Sequence, residues 1–312
     1  MVVELHAAAT SEAISRSYVR RTPEHGVLHR LVREHLQTFL CELDRHDEQR
    51  GAPLFVKREF QRFVRCGVLA HGFARFRCMG CGTDRLVAFS CKGRGFCPSC
   101  GGRRMTERAA HLVDHVLPRA PVRQWVLSLP FELRYRMAWD HALCRTVLAV
   151  YTRALLGFYR KRAMASGHLG GFDLHANTSV RAKNRPKLER LCRYLLRPPV
   201  AEDRLSLAPD GSVLVRLKTP WRDGTSHIAL QPLELLEKLA ALIPRPYVNL
   251  IVYHGVLAPN ARWRGEVVRF GRAKLQREPS TSTPRKVAAS YNRTWAELMR
   301  RGLDIDVLEC PD

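Results

Sequence analysis

The stretch CMGCGTDRLVAFSCKGRGFCPSC, residues 78–100, decides how the rest of this chain is read. It opens on Cys78-x2-Cys81, runs through fifteen residues, and closes on Cys97-x2-Cys100. Two thiolates separated by two residues turn toward one point, and two such turns joined by a hairpin make a four-cysteine zinc ribbon. Gly80, Gly82 and Gly101 allow tight backbone at the knuckles, and neighbouring Arg and Lys favour the thiolate form. The expected metal is Zn2+, held by Cys78, Cys81, Cys97 and Cys100. With no open coordination position its role is structural, and its binding energy is folding energy. Cys66, His71 and Cys91 stand nearby; they either complete a second site with one more ligand or simply pack. Cysteines 41, 144 and 192 read as core residues.

Working outward, the charge points to a polyanion. The 312 residues carry 52 Lys and Arg against 29 Asp and Glu, a formal charge of +23. Such a charge repels itself unless nucleic acid neutralises it, and Arg, whose planar fork matches phosphate, dominates the excess. Charge and a zinc ribbon alone would equally suit an RNA-associated protein. Lys92, Arg94, Arg103, Arg104 and Arg108 lie between and after the second pair of cysteines. Arg103 and Arg104 open a helix whose unpaired amides also attract phosphate, so these five are expected DNA contacts; an ordinary solvated basic face is the alternative.

Hydrophobic residues make up 46% of the chain, enough to bury real cores. No apolar run reaches 18 residues and no basic segment precedes the first apolar patch, which predicts neither a membrane span nor a secretory signal. Cysteines in two-residue spacings then point to metal binding in a reducing cytoplasm rather than to disulfides.

The predicted fold class is α+β: N-terminal helices with a zinc ribbon, followed by an incomplete α+β domain. A tail occupies 1–24, a helical and zinc-binding DNA-binding unit 25–118, an α+β unit 119–270, and a basic tail 271–312. Helix is expected over 25–65 and 101–117, and as one long stretch over 132–165. VRQWVLSLP (122–130) and VNLIVYHGVL (248–257) read as buried strands, and 167–186 as a loop. KLERLCRYLL reads as a short helix ending before Pro198. DRLSLAPDGSVLVRLK reads as a hairpin around Pro209-Asp210-Gly211, with a third strand near HIAL and a helix over PLELLEKLAALIP. A last helix is expected around Tyr291–Arg301.

Several of these segments carry a resemblance. FSCKGRGFCPSCGGRRM (89–105) resembles the zinc-binding domain of rolling-circle transposases of the insertion-sequence-ninety-one family and its common-region relatives. LCRYLLRPPVAEDRL, LKTPWRDGTSHIAL, PLELLEKLAALIPRP and YHGVLAPNARWR resemble later parts of the same family. The resemblance implies a transposase that binds DNA at element ends, nicks one strand and joins itself to it through a tyrosine. It also implies a catalytic divalent metal such as Mg2+, held by a His-hydrophobe-His pair. In the family a second zinc site often takes a histidine where this chain has Phe96.

The tyrosine that matches is Tyr194. Arg190 stands where two-tyrosine members have their other tyrosine, implying a single-tyrosine type. On a helical wheel Leu188, Leu191, Cys192 and Leu195 form an apolar stripe, while Arg190, Arg193 and Arg197 cluster roughly opposite as DNA contacts. Tyr194 falls between; without the resemblance it would read as an amphipathic packing residue. No His-x-His occurs among the thirteen histidines. GHLGGF (167–172) resembles the end of one family segment and DLHAN (173–177) the start of a much later one. The expectation is therefore an internal deletion near 172–173 that removes the histidine pair and impairs nicking, and a truncated end at IDVLECPD. The alternative is a non-catalytic, zinc-dependent DNA-binding remnant or regulator.

Overall fold

A computed structural model describes residues 19–46, 51–160, 167–169, 172–175, 178–268 and 294–307. Most of both predicted tails, 1–24 and 271–312, lies outside the described residues, Cys310 included. Two helices lead, α1 (Val27–His46) and α2 (Leu54–Arg65). An antiparallel hairpin follows, β1 (Phe73–Arg77) with β2 (Asp84–Ala88), in the register Phe73↔Ala88 to Arg77↔Asp84. Helix α3 (Pro98–His111) passes into a π-helical turn at Leu112–Val116.

The next strands are short. β3 (Val122–Arg123) pairs with β7 (Ser179–Val180), and β4 (Val126–Ser128) with β6 (Phe172–His175), which also pairs with β5 (Gly167–Leu169). The single buried strand expected over 122–130 is thus two pieces at most half-buried, and the expected loop after 167 contains three strands. The expected deletion junction falls inside β6. The long helix expected from 132 is divided into α4 (Phe131–Trp139) and α5 (His141–Arg160). Asp140 leaves helical geometry between them, and its carboxylate accepts from the Leu143 amide at 2.9 Å, restarting the helix as an N-cap does.

Helix α6 (Arg185–Leu196) begins at Asn184, whose side chain accepts from the Lys187 amide, and ends before Pro198. A three-stranded antiparallel meander follows: β8 (Leu205–Leu207), β9 (Val213–Arg216) and β10 (His227–Leu230), with β9 central. Its first turn is the one read from Pro209-Asp210-Gly211. Asp210 accepts from both the amide and the hydroxyl of Ser212, and Gly211 supplies the positive φ of 82°. Helices α7 (Pro232–Ala241), α8 (Arg264–Val267) and α9 (Trp295–Leu303) complete the described chain. Thr294 and Glu297 form a capping box that starts α9 three to four residues later than expected. The buried strand expected at 248–257 does not form. No strand lies beside it among the described residues, and Leu250 and Val252 face solvent.

Two cores hold these elements. The first takes Leu28, Phe60 and Phe96 from before residue 118, and Val213, Leu236 and Leu239 from well after it. Glu202 reinforces the same connection, accepting from the Leu28 amide at the start of α1 at 3.0 Å. The second core joins Ala109 and Val113 to Val180, Leu188 and Cys192, so that α3 packs along α6. Cys192 is buried as expected, with its thiol pushed up to about 11 by burial. Cys41 and Cys144 are exposed instead, on the solvent sides of α1 and α5.

Candidate metal centre and nucleic-acid face

Four sulfurs converge, and they are grouped differently from the spacing rule. Cys97 and Cys100 meet Cys66 and Cys91, all four Sγ atoms lying within 4.8 Å of one another. Cys78 and Cys81 sit apart from this group, at the turn between β1 and β2, where the Gly82 amide donates to the Cys78 carbonyl at 3.0 Å. The reason lies in the chain path. Cys66 caps the C-terminal end of α2, Cys97 is the N-cap of α3, and Cys100 lies in α3's first turn. Packing α2 against Phe96 draws these two helix ends together, whereas the hairpin carries the first knuckle outward. His71 is exposed in a single 3-10 turn before β1.

The cluster has the dimensions of a tetrahedral thiolate site. A metal–sulfur bond of about 2.3 Å sets the sulfur–sulfur edges of a tetrahedron near ~3.8 Å. The observed edges include 3.8 Å for Cys66–Cys100, 3.7 Å for Cys97–Cys66 and 3.4 Å for Cys91–Cys100. Backbone amides orient the ligands: Cys91 N donates to the Cys66 sulfur and Gly93 N to the Cys91 sulfur, each at 3.3 Å. Hydrogen bonding to Cys100 first, then to Cys66, with burial behind them, holds Cys91 and Cys97 above the usual thiol range, while bonds from Cys66, Cys91 and Cys97 pull Cys100 below it. Four thiolates share so small a volume only around a positive ion. The residues fit structural zinc.

The loop between Cys91 and Cys97 is built for close approach. A Cβ on Gly93 would come within 2.6 Å of a Glu59 carboxylate oxygen and 3.1 Å of the Cys91 sulfur. Glu59 accepts from the Gly95 amide at 2.7 Å, and Arg104 donates to the Gly93 and Lys92 carbonyls at 2.7 and 3.2 Å. Phe96, where the family resemblance implies a histidine, is fully buried between Phe60 and Phe63, ring centroids 4.8 and 5.0 Å away. It is a core residue that presses the loop onto α2. Phe96→Ala is expected to cost about 3 kcal/mol through the cavity left behind, measured as a fall in the urea midpoint of the zinc-loaded protein.

The expected DNA contacts fall into two groups. Lys92, Arg103, Arg108, Arg190 and Arg197 are exposed. Arg94, Arg104 and Arg193 are engaged in the fold: Arg94 donates to the Val248 carbonyl, Arg104 braces the cysteine loop, and Arg193 donates to Glu189 at 2.8 Å. Arg193 belongs to a network that the sequence did not reveal. Arg301 of α9 donates to both oxygens of Asp114, at 2.7 and 3.1 Å, and to both oxygens of Glu189, at 2.9 and 2.6 Å. Burial pushes the Glu189 carboxyl up, but the hydrogen bonds from Arg301 and Arg193 outweigh it and hold the group below the usual carboxylate range. Beside this network lies a cleft of about 920 Å³, into whose wall Arg119, Arg185 and Arg190 project.

Tyr194 stands on α6 with 50% of its surface exposed. The Arg197 guanidinium lies 4.7 Å from its ring centroid and the Lys218 ammonium 5.8 Å. Lys218 comes from the turn after β9, so the meander delivers a cation to the helix. Leu195, expected in the apolar stripe, is exposed beside it, whereas Leu188 and Cys192, with Leu191 and Leu196 partly buried, make the α6 side of the second core. The zinc module touches the same helix end: a Cβ on Gly101, next to Cys100, would meet Pro198 at 2.9 Å. The tyrosine, its two cations and the tetrathiolate are therefore parts of one packed unit.

Residues 32–129 match the family model described as a transposase zinc-binding domain, of the insertion-sequence-ninety-one type. Residues 104–264 match the model described as "Putative transposase". None of the curated proteins and none of the solved structures compared with the chain matches it. Among the described residues no helix is long and apolar enough to cross a membrane.

Proposed function

Because this chain belongs to the transposase family that it matches over residues 104–264, with a transposase zinc-binding domain ahead of it, we propose that it binds single-stranded DNA at the ends of an insertion sequence through the exposed face of α6. The observation that carries this reading is the pair of cations, Arg197 and Lys218, packed against the exposed ring of Tyr194. A phosphate beside that ring is held by two positive charges, and Arg190, one turn earlier, extends the track. Arg103 and Arg108 on the neighbouring α3 add contacts to the same polyanion, and the tetrathiolate zinc keeps α3 in place.

The resemblance also implies strand transfer, in which the Tyr194 phenol attacks a phosphodiester. The tyrosyl O–P bond forms, the bond from phosphorus to the 3′ oxygen breaks, and the phenolic proton ends on the released 3′ hydroxyl. We hold this step to be impaired here. The groups recorded against the Tyr194 ring are cations, which do not ligate a divalent metal, and the chain has no His-x-His. Arg197 and Lys218 are placed to stabilise a bound phosphate.

Binding and cleavage are separated in one experiment with the zinc-loaded full chain and a labelled single-stranded oligonucleotide. Anisotropy is expected to report tight, salt-sensitive binding that Arg197→Ala weakens. Tyr194→Phe is expected to bind within about twofold of wild type, because the ring and its cation contacts remain. Denaturing gels with Mg2+ are expected to show no covalent adduct. An adduct that Tyr194→Phe abolishes would overturn the impairment, and absence of binding would overturn the whole reading.

A further inference from the structure

The turn that joins β9 to β10 brings Lys218 to Tyr194, and it carries a second feature that charge alone does not use. Trp221, three residues beyond Lys218, has 54% of its surface in solvent. A large ring left exposed would suit a mobile loop poorly, and this loop is tied down. The Trp221 amide donates to the Thr225 carbonyl at 2.9 Å, and the Gly224 amide donates back to the Trp221 carbonyl at 3.0 Å. The Asp223 carboxylate accepts from the Thr225 amide at 2.9 Å, and Gly224 takes the φ of 85° that closes the turn. Below it, the Leu217 amide donates to the Ser226 carbonyl at 2.8 Å, continuing the β9–β10 ladder into the loop. The indole is therefore offered to solvent from a fixed support.

Resting on the proposed binding of single-stranded DNA, we infer that Trp221 is a stacking platform for a nucleobase of the strand held at Tyr194. Three residues of chain span at most about 10 Å, so the Trp221 backbone lies within that reach of the Lys218 backbone, on the same turn. Arg222, exposed next to it, supplies a further phosphate contact. Unpaired bases in a single strand expose π-faces, and an aromatic ring beside a cationic backbone track binds them whatever their identity. A paired base in duplex DNA offers no such face, so the platform selects single strands. Its ligand is the base, whereas Arg197 and Lys218 serve the backbone.

The test uses the zinc-loaded full chain, a thymidine oligonucleotide, and an abasic deoxyribose-phosphate oligomer of equal length and charge. Trp221→Ala is expected to weaken binding of the thymidine strand about tenfold, and Trp221→Phe to retain most of the affinity. The salt dependence of Trp221→Ala is expected to equal that of wild type, because no ion contact is lost. Arg222→Ala, by contrast, lowers the salt slope by about one unit. On the abasic oligomer Trp221→Ala and wild type are expected to bind alike. Equal affinity of Trp221→Ala and wild type for thymidine strands overturns the inference while leaving the proposed function standing. A tenfold loss that persists on the abasic oligomer also overturns it, since the indole would then act through the fold. No binding by wild type overturns both readings.

Discussion

Cys66→Ser is expected to yield a chain that no longer holds zinc in its N-terminal core and does not fold cooperatively there, whereas Cys78→Ser keeps that zinc. The two variants distinguish the observed cluster from the pairing of the two CxxC motifs. In the cluster Cys66 supplies one of four sulfurs, and Cys78 supplies none. Structural zinc contributes on the order of 10 kcal/mol to small domains that depend on it, comparable to the whole stability of a typical domain. Cys66→Ser should therefore resemble chelated wild type: reduced zinc per chain by mass spectrometry, and loss of the steep thermal transition. Because the sulfurs lie against Phe96 and the ends of α2 and α3, the loss should spread into the first core and, through Gly101 and Pro198, to the end of α6. Retention of full zinc by Cys66→Ser together with its loss in Cys78→Ser would return the site to the two-knuckle arrangement.

Glu189→Ala is expected to destabilise the protein by about 4 kcal/mol, since it removes one partner from a buried ion network. The Glu189 side chain is 11% exposed and that of Arg301 25%, so both charges depend on each other and on Asp114 rather than on water. Without Glu189 the Arg193 and Arg301 guanidinium groups lose their shared acceptor, and α9 keeps on α6 only the bonds that Arg193 donates to the Arg301 and Gly302 carbonyls among those described. A fall in melting temperature of roughly 10 °C follows for a chain of this size. The same pairing predicts an acid limb. The Glu189 carboxyl is held below its ordinary range, so its contribution is complete above about pH 4.3, the unfolded value. It is lost as pH falls through the lower folded value. Between pH 5 and pH 3, wild type should therefore lose stability more steeply than Glu189→Gln, measured by urea unfolding at each pH. Parallel curves for the two proteins would remove Glu189 as the acid-sensitive group.

Much of this arrangement is legible in local sequence, for local reasons. Pro209-Asp210-Gly211 specifies its turn because Asp210 bonds two residues ahead and Gly211 accepts a positive φ. Pro198 ends α6 because it cannot follow within a helix, whereas the start at Arg185, two residues before the expected Lys187, is set by the Asn184 side-chain cap. The apolar spacing of Leu188 and Cys192 predicts which face of α6 is buried. Failures occur where a residue's fate depends on a distant neighbour. VNLIVYHGVL has a strand's composition, but a strand needs another beside it, and among the described residues none is there. Leu195 matches the apolar period of α6, but among the described residues no element covers it.

By itself the sequence determined that Cys97 and Cys100 would face one point, that Asp210 and Gly211 would close a turn, and that Tyr194 would ride on a short helix. Each follows from the chemistry of residues within a few positions of one another. Which sulfurs meet was decided only in three dimensions, by the packing of α2 and α3 around Phe96, which joins Cys66 to Cys100 across 34 residues. The same holds for Lys218 at the tyrosine and Arg301 at Glu189. These groups are far apart along the chain, and no spacing rule constrains them until hydrophobic burial brings their elements together.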